Sequence, residues 1–238
     1  YARLTLMAGG SLILMPRFDT VELLRLVAEH RLSHLHMVPT MFIRLLRLPQ
    51  EVRERHDLSS LEYVIHGAAP CPPEIKRQMI DWWGPVIHEY YGSTEAGLIS
   101  IADSAESIAR PGTVGRPMAE IEVRILDDDG RPLGAGETGD IYVSLGSLTD
   151  FTYHNNDTKR REIERDGLIT NGDIGYLDDD GYLFLCDRKI DMVISGGVNI
   201  YPAEIEAVLI RMAGVHDCAV FGIPDPEFGE ALAAAIEP

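Results

Sequence analysis

The chain has 238 residues, of which 45% are hydrophobic, so it can build one large domain or two smaller ones. Its formal net charge of −17 argues against a nucleic acid or an anionic membrane as a partner, because those surfaces attract an excess of Lys and Arg. The three cysteines, Cys71, Cys186 and Cys218, lie far apart in the sequence, which argues against a disulfide framework or a zinc cluster. This cysteine usage suits a reducing compartment, so we expect a cytoplasmic location. No apolar run reaches the length of a transmembrane segment, so we expect none.

Residues 1–108 alternate between short apolar runs, which predict strands, and longer amphipathic runs, which predict helices. The predicted strands are Ser11–Met15, Leu35–Val38, Leu61–Ile65 and Val86–Tyr90. The predicted helices begin at Asp19, Pro39 and Pro72, which are residue types common at helix starts. Four strand–helix alternations predict a parallel sheet with right-handed crossovers, that is, the α/β fold class.

In such a sheet, the loops that leave the carboxyl ends of the strands meet at one edge, where ligands bind. Three predicted loops reach this edge, at Pro39-Thr40, Gly67–Pro70 and Tyr91–Glu95. The last loop offers an aromatic ring that can stack on a base, a hydroxyl that can bond a phosphate, and a carboxylate that can hold Mg²⁺. The loop Tyr91–Glu95 therefore favours a nucleotide with its metal ion as the ligand. Taken by itself, this loop could also be an ordinary polar loop that binds nothing.

Residues 109–189 show an apolar–polar alternation of period two, for example at Ile121–Leu126, which predicts a small antiparallel β-barrel. Two Asp-Asp-Asp-Gly stretches in this region are interpreted as hairpin turns and not as calcium loops, because they lack spaced ligands and a closing Glu. Asp173, in a predicted turn, could accept both hydroxyls of a ribose, with Arg188 in reach of the same sugar or of a phosphate. Ordinary turn chemistry and a solvated charge are the alternatives for these two residues. Residues 190–238 predict the start of a small α+β C-terminal domain.

Six short motifs follow one another in a specific order. They are Gly67–Pro70, Tyr91–Glu95, Gly112–Pro117, Gly172-Asp173, Asp187–Lys189 and Gly196–Glu206. In this order and spacing, the chain resembles the adenylate-forming superfamily, and within it the acyl-CoA synthetases, over essentially its whole length. The resemblance implies that a carboxylic acid, with a fatty acid expected, reacts with ATP to form acyl-AMP, and that coenzyme A then displaces AMP.

The resemblance also implies roles for the residues at the sheet edge. Tyr91 would stack on adenine, whose other face would lie near Gly67, Ala68 and Ala69. Gly92 would allow the backbone to approach the nucleotide closely.

The resemblance assigns the reaction chemistry to two neighbouring residues. Thr94 would bond the phosphate, and Glu95 would hold Mg²⁺.

Asp173 would take the ribose hydroxyls, with Arg188 beside it. Charge stabilisation and alignment, more than covalent chemistry, would then carry most of the rate.

For the second half-reaction, Gly196 and Gly197 would let the pantetheine arm of coenzyme A pass. The family rotates its C-terminal domain about a pivot that is commonly Asp or Lys, two residues past the arginine. In this sequence that position is Ile190, so Lys189 or Asp191 is an alternative pivot. Asn171 also replaces the usual Thr before Gly172-Asp173.

The acyl group is expected near the same sheet edge. His36 and His66 lie close to the predicted ligand edge, and either could touch the acid. Val38 and Thr40 are the candidates for the wall of the acyl pocket.

Two family elements fall outside these residues: a phosphate-binding loop with its Lys upstream, and a catalytic Lys downstream. We therefore expect residues 1–238 alone to be inactive or strongly impaired. An amino-acid-activating adenylation domain of a peptide synthetase, and a nucleotide-binding module without catalysis, are the alternative functions. The sequence leaves the chain length of the acid and the oligomeric state open.

Overall fold

The computed structural model describes residues 2–148 and 150–238. It contains two compact units. The first extends to Tyr90 and includes Asp103–Pro111, and the second comprises Tyr91–Ala102 and Gly112–Pro238. Within the described ranges, no helix is both long enough and apolar enough to cross a membrane.

The first unit is built from helices and parallel strands. Its helices are α1 (Ala2–Met7), α2 (Thr20–His30), α3 (Pro39–Leu46), α4 (Gln50–Arg53), α5 (Pro73–Trp83) and α6 (Ser104–Ala109). Its strands are β1 (His34–Met37), β2 (Tyr63–His66) and the beginning of β3 (Ile87–Ser93). β1 pairs with β2, and β2 with β3, in parallel, which confirms the predicted parallel sheet.

Local sequence explains where two of these helices begin. The carboxylate of Asp19 accepts a hydrogen bond of 2.8 Å from the backbone N–H of Glu22, so Asp19 caps α2 as expected. Pro39 occupies the first turn of α3, where a missing N–H costs nothing. The buried faces of α2, α3 and α5 supply Leu24, Val27, Phe42, Leu45 and Met79 to the core of this unit.

One predicted strand is wrong. Ser11–Met15 has no strand structure, and the Leu14 side chain is 77% exposed. An apolar run becomes a strand only when a neighbouring strand satisfies its backbone groups, and no strand among the described residues pairs with it.

The second unit contains an antiparallel sheet that the sequence predicted as a barrel. Its strands are β6 (Val123–Leu126), β7 (Gly139–Val143), β8 (Glu164–Arg165), β9 (Leu168–Leu177) and β10 (Leu183–Arg188), in the order β10-β9-β7-β6 with β8 on β9. Helix α7 (Asp157–Glu162) lies between β7 and β8 in the chain. In the same unit, β4 (Gly97–Ala102) pairs antiparallel with β5 (Arg116–Pro117).

The barrel prediction is wrong, because the sheet of β6 to β10 is open. In the described part of the chain, β6 and β10 are its two edges and do not pair with each other. The free edge of β10 is instead occupied by the segment before β5. Val114 N–H donates to the Leu183 carbonyl, and Leu183 N–H donates to the Gly115 carbonyl, each at 2.9 Å.

A third sheet completes the second unit. Its strands are β11 (Val193–Ser195), β12 (Val198–Ile200), β13 (Asp217–Asp225) and β14 (Gly229–Glu237), in the order β12-β11-β14-β13. Helix α8 (Pro202–Leu209) connects β12 to β13 in sequence. All pairs in this sheet are antiparallel, which agrees with an α+β character for this part of the chain.

Candidate functional site

The second unit brings three predicted nucleotide-binding residues together. Tyr91, near the end of β3, donates a hydrogen bond of 2.6 Å from its hydroxyl to Oδ2 of Asp173 on β9. Arg188 stands opposite Asp173 in the β9–β10 register, and its Nε lies 3.5 Å from Oδ1 of Asp173. Asp173 and Arg188 follow Tyr91 by 82 and 97 positions in the sequence, yet the three side chains lie together in the fold.

A second pair of residues fixes the turn after β3. The Ser93 hydroxyl donates to Oδ1 of Asn171 at 3.0 Å and accepts from the N–H of Ala96 at 2.9 Å. This turn holds Thr94, which is exposed, and Glu95, which is partly buried. Asn171, the residue that departs from the family pattern, therefore supports the loop that carries the predicted reactive groups.

Gly92 is required by the close approach of two strands. A Cβ atom at this position would lie 2.1 Å from the carbonyl oxygen of Gly97, at the start of β4. Real Cβ atoms do not approach backbone oxygens so closely, so any side chain at Gly92 would separate β3 from β4. The prediction for Gly92 was close contact with the nucleotide. The contact between β3 and β4 is a separate reason for a glycine at this position.

Sequence reasoning missed the residue that holds Glu95. The hydroxyl of Tyr153 donates a hydrogen bond of 3.0 Å to Oε1 of Glu95. Tyr153 is 58 positions from Glu95 and lies in a segment without a recognised motif, so no local signal identified it.

Burial dominates the electrostatics of the Tyr91–Asp173 pair. Burial, and then the negative charge of Asp173, raises the pKa of the Tyr91 hydroxyl, so this group stays protonated and can donate. Burial also raises the pKa of the Asp173 carboxyl above its ordinary value, against the opposing effects of the Tyr91 hydrogen bond and the Arg188 charge. The folded protein therefore keeps a carboxylate in an environment that does not favour its charge, as functional sites often do.

In the first unit, the loop after β2 has a constrained backbone. A Cβ atom at Gly67 would lie 2.7 Å from both the ring and the carbonyl oxygen of Tyr90, so only glycine fits there. Ala68 has φ of 69°, in the left-handed region that a residue with a side chain seldom adopts. Ala69 follows on an exposed stretch. The small residues of this loop are thus needed for its shape, and its contact with adenine stays a prediction.

The four candidates for the acyl pocket do not share one environment. His36 and Thr40 are exposed, Val38 is partly buried, and Nε2 of His36 lies 3.3 Å from the Tyr90 hydroxyl. His66 is fully buried, with its ring edge-on to Phe42 at a centroid distance of 5.0 Å. His66 has no exposed surface to offer an acyl group, because it is buried between Phe42 and the carboxylate of Glu89.

The first unit also contains a buried charged cluster that sequence reasoning missed. Lys76 on α5 forms an ion pair with Glu89 on β3, and both side chains are almost fully buried. Nδ1 of His66 lies 4.0 Å from Oε1 of Glu89. Burial raises the pKa of Glu89, and burial together with the Lys76 charge lowers the pKa of His66 to about 3.

Near the C-terminal sheet, Gly196 and Gly197 form the turn between β11 and β12, with φ of 59° and 82°. Side chains are disfavoured at both positions for this conformational reason alone. The predicted pivot Ile190 is 87% exposed. Its neighbour Lys189 is tied to the β6–β10 sheet, because its Nζ lies 2.8 Å from Asp140 and 3.2 Å from Asp128.

Comparison with known proteins now identifies the family. The model of the AMP-binding enzyme family matches residues 3–150, and that of the AMP-binding enzyme C-terminal domain matches residues 204–238. A medium/long-chain-fatty-acid–CoA ligase of Mycobacterium tuberculosis is 35% identical over 98% of this chain and 40% of its own length. A feruloyl-CoA synthase of Amycolatopsis is 37% identical over 98% of this chain and 47% of its own length.

A solved structure agrees with these relatives. The o-succinylbenzoate CoA synthetase of Bacillus subtilis, in complex with its acyl-adenylate intermediate, has a TM-score of 0.84. It is 29% identical, and the match covers 98% of this chain and 46% of that one. The chain thus spans less than half of the length of these relatives. From the two family models and the acid–CoA ligases that it resembles, this chain belongs to the AMP-binding enzyme family of adenylate-forming acyl-CoA ligases.

Proposed function

We propose that these residues form the nucleotide-binding part of an acid–CoA ligase. The enzyme would join a carboxylic acid to ATP, release pyrophosphate, and then transfer the acyl group from AMP to the thiol of coenzyme A. The observation that carries this proposal is the convergence of Tyr91, Asp173 and Arg188 around one carboxylate. A family likeness predicts which residues bind the nucleotide, and their proximity in the fold supports that assignment.

The Asp173 carboxylate retains the capacity to bind a ribose. An ionised carboxylate offers about four lone-pair positions, and the contacts to Tyr91 and Arg188 use only part of them. In the proposed complex, Asp173 accepts the two ribose hydroxyls, and Arg188 adds a positive charge beside the sugar. Tyr91 is proposed to contact adenine with the 8% of its surface that packing in the core leaves exposed.

Gly67, Ala68 and Ala69, in the first unit, are proposed to contact adenine through their backbone. Small residues in a constrained loop suit close stacking, since no side chain separates the peptide plane from the ring. Thr94, exposed in the turn, is proposed to donate its hydroxyl to the phosphate undergoing attack.

The residues of this turn fit Mg²⁺. Among the described residues, no group of three or more His, Cys, Asp or Glu side chains comes close enough to hold a metal by itself. Mg²⁺ is commonly held by only one or two carboxylates, with substrate phosphates and water completing its shell, and Glu95 provides such a carboxylate. When bound, the ion supplies positive charge that offsets the charge of the phosphates.

The second half-reaction is proposed to use the β11–β12 turn. Gly196 and Gly197 add no side chains to it, and the space around Gly197 is open, so an extended pantetheine arm could pass close to the backbone there. We propose that the pivot between half-reactions begins at Ile190. Its side chain is exposed, whereas the Lys189 side chain is anchored to Asp140 and Asp128.

We propose a fatty acid as the substrate, because a fatty-acid–CoA ligase is among the relatives. The feruloyl-CoA synthase shows that relatives of similar identity take aromatic acids. His36, Val38 and Thr40 are the residues that we propose for contact with the acid. The three free cysteines support the proposed cytoplasmic location.

The decisive experiment follows the intermediate. Full-length protein is incubated with ATP, Mg²⁺ and a panel of fatty and aromatic acids, first without and then with coenzyme A, and the products are identified by mass spectrometry. We expect acyl-AMP in the first reaction and acyl-CoA with AMP in the second. ATP binding without acyl-AMP from any acid would contradict the proposal, as would transfer only to a carrier protein and never to coenzyme A.

A further inference from the structure

An aromatic hydroxyl from a distant segment contacts the carboxylate of Glu95. Tyr153 donates from its hydroxyl to Oε1 of Glu95 at 3.0 Å, and both residues belong to the second unit. An ionised carboxylate is an acceptor only, so this bond uses one position on Oε1, and the remaining positions of the carboxylate could accept from a cation.

Tyr153 is itself fixed by its neighbours in the segment of residues 150–164. Its ring meets Phe151 edge-on, with centroids 5.5 Å apart, and Nζ of Lys159 lies 4.9 Å from its centroid. These contacts hold the ring without using its hydroxyl.

The same segment is braced by ion pairs. Arg160 lies 2.9 Å from Asp150 and 2.6 Å from Glu164, and its guanidinium is 5.0 Å from the ring centroid of Phe151. Only 12% of the Arg160 side chain is exposed, whereas its partners Asp150 and Glu164 are 73% and 45% exposed. These contacts link residues 150, 151, 160 and 164 of the segment that carries Tyr153.

We propose that Tyr153 is a positioning residue for the metal-binding carboxylate. By donating to Oε1, it would restrict the orientation of the Glu95 carboxylate, which would then hold the cation. This inference rests on the proposed function, because it takes Glu95 as the Mg²⁺ ligand.

The physical reason lies in the flexibility of a glutamate. A free Glu side chain populates several rotamers, and binding a cation would then have to select one of them. A hydrogen bond from a fixed donor removes that selection before the cation arrives. Loss of such an outer partner typically lowers metal affinity by about 10- to 100-fold.

The test replaces Tyr153 with Phe, which keeps the ring and its contacts with Phe151 and Lys159 and removes only the hydroxyl. Binding of a non-hydrolysable ATP analogue to full-length protein is measured by calorimetry over a range of Mg²⁺ concentrations. We expect the half-saturating Mg²⁺ concentration to rise about 10-fold. Binding of AMP without metal should stay at the wild-type level, and high Mg²⁺ should restore binding of the analogue.

Tyr176→Phe is the matched control, since Tyr176 stacks on Phe184 at a centroid distance of 4.8 Å and has no part in the site. Glu95→Gln, alone and combined with Tyr153→Phe, provides a second measurement. If Tyr153 acts through Glu95, the double variant should require no more Mg²⁺ than Glu95→Gln alone.

The outcomes separate the two proposals. A wild-type protein that binds the analogue with Mg²⁺, beside a folded Tyr153→Phe variant with unchanged Mg²⁺ dependence, would overturn the positioning role alone. Additive effects in the double variant would also overturn it. A wild-type protein whose binding of the analogue shows no response to Mg²⁺ would instead contradict the proposed function.

Discussion

The hydroxyl of Tyr91 donates to the carboxylate of Asp173 over 2.6 Å, and this bond joins the end of β3 to the middle of β9. It links an aromatic ring suited to a base with a carboxylate suited to a ribose. Because the bond restrains both side chains, it limits the number of rotamers that a ligand would have to order on binding.

Asp173 should reduce stability at neutral pH, because burial raises its pKa in the folded state. At pH values above the folded-state pKa, the ionised form is less favourable in the folded protein than in the unfolded chain. As the pH falls through that pKa, the folded state gains protons first, and the penalty disappears.

We therefore expect Asp173→Asn to melt no lower than wild type at neutral pH, because the amide cannot ionise. The difference should shrink as the pH is lowered toward the unfolded value. Differential scanning fluorimetry from neutral to acidic pH measures both effects. A marked loss of stability in the variant at neutral pH would show that Asp173 is a structural residue first.

The Lys76–Glu89 ion pair yields a second prediction. Lys76→Met leaves the Glu89 carboxylate buried without its cation, and breaking a buried pair in this way costs about 3–5 kcal/mol. The free energy of unfolding in urea measures the loss.

The double variant Lys76→Met/Glu89→Met is the matched control. It replaces both charges with apolar groups, and buried pairs exchanged in this way are often neutral or stabilising. We expect it to recover most of the lost stability. Recovery of none of it would show that the two side chains contribute independently and not as a pair.

Buried His66 should make the first unit sensitive to mild acid. Its pKa falls from 6.5 to about 3 in the folded protein, so below about pH 6.5 it must lose its proton when the chain folds. Its contribution is fully present above the unfolded pKa and is lost progressively as the pH falls from 6.5 toward 3, because the unfolded state takes up the proton first.

His66→Leu removes this titration. Between about pH 7.5 and pH 5, wild type should lose about 2 kcal/mol of unfolding free energy more than the variant does. Urea titrations at both pH values provide the measurement, with the exposed residue His34 changed to Leu as the control. Parallel losses in wild type and His66→Leu would mean that His66 is not held neutral in the fold.

The parallel strands of the first unit were predictable because their signal is local. Leu35 and Met37 alternate with exposed histidines on β1, and the helix-start residues Asp19 and Pro39 mark the intervening segments. The barrel prediction failed because closure depends on which distant segments meet at the sheet edges. The hydrophobic alternation within each segment does not indicate that Val114 pairs with Leu183.

Motif order predicts Tyr91, Asp173 and Arg188 as nucleotide-binding residues, and the fold places the three side chains together. The sequence did not predict the role of Tyr153, because Tyr153 lies 58 positions from Glu95 and belongs to no motif that we recognised.

The Lys76–Glu89 pair did leave a signal in the sequence. Lys76 lies on the helical stripe of Met79, Ile80 and Trp83, and Glu89 alternates with Ile87 and Tyr91 on β3. A charged residue on a buried stripe of each element predicts that the two charges pair.

AMP affinity tests the central claim most directly. Isothermal titration calorimetry compares full-length wild type with Asp173→Ala, and Tyr176→Phe serves as the control. The loss of charge-assisted hydrogen bonds to the ribose, worth about 1.5–3 kcal/mol, predicts that AMP binding weakens at least about 10-fold in Asp173→Ala while the control is unchanged. Undiminished AMP affinity in a folded Asp173→Ala protein would contradict the account.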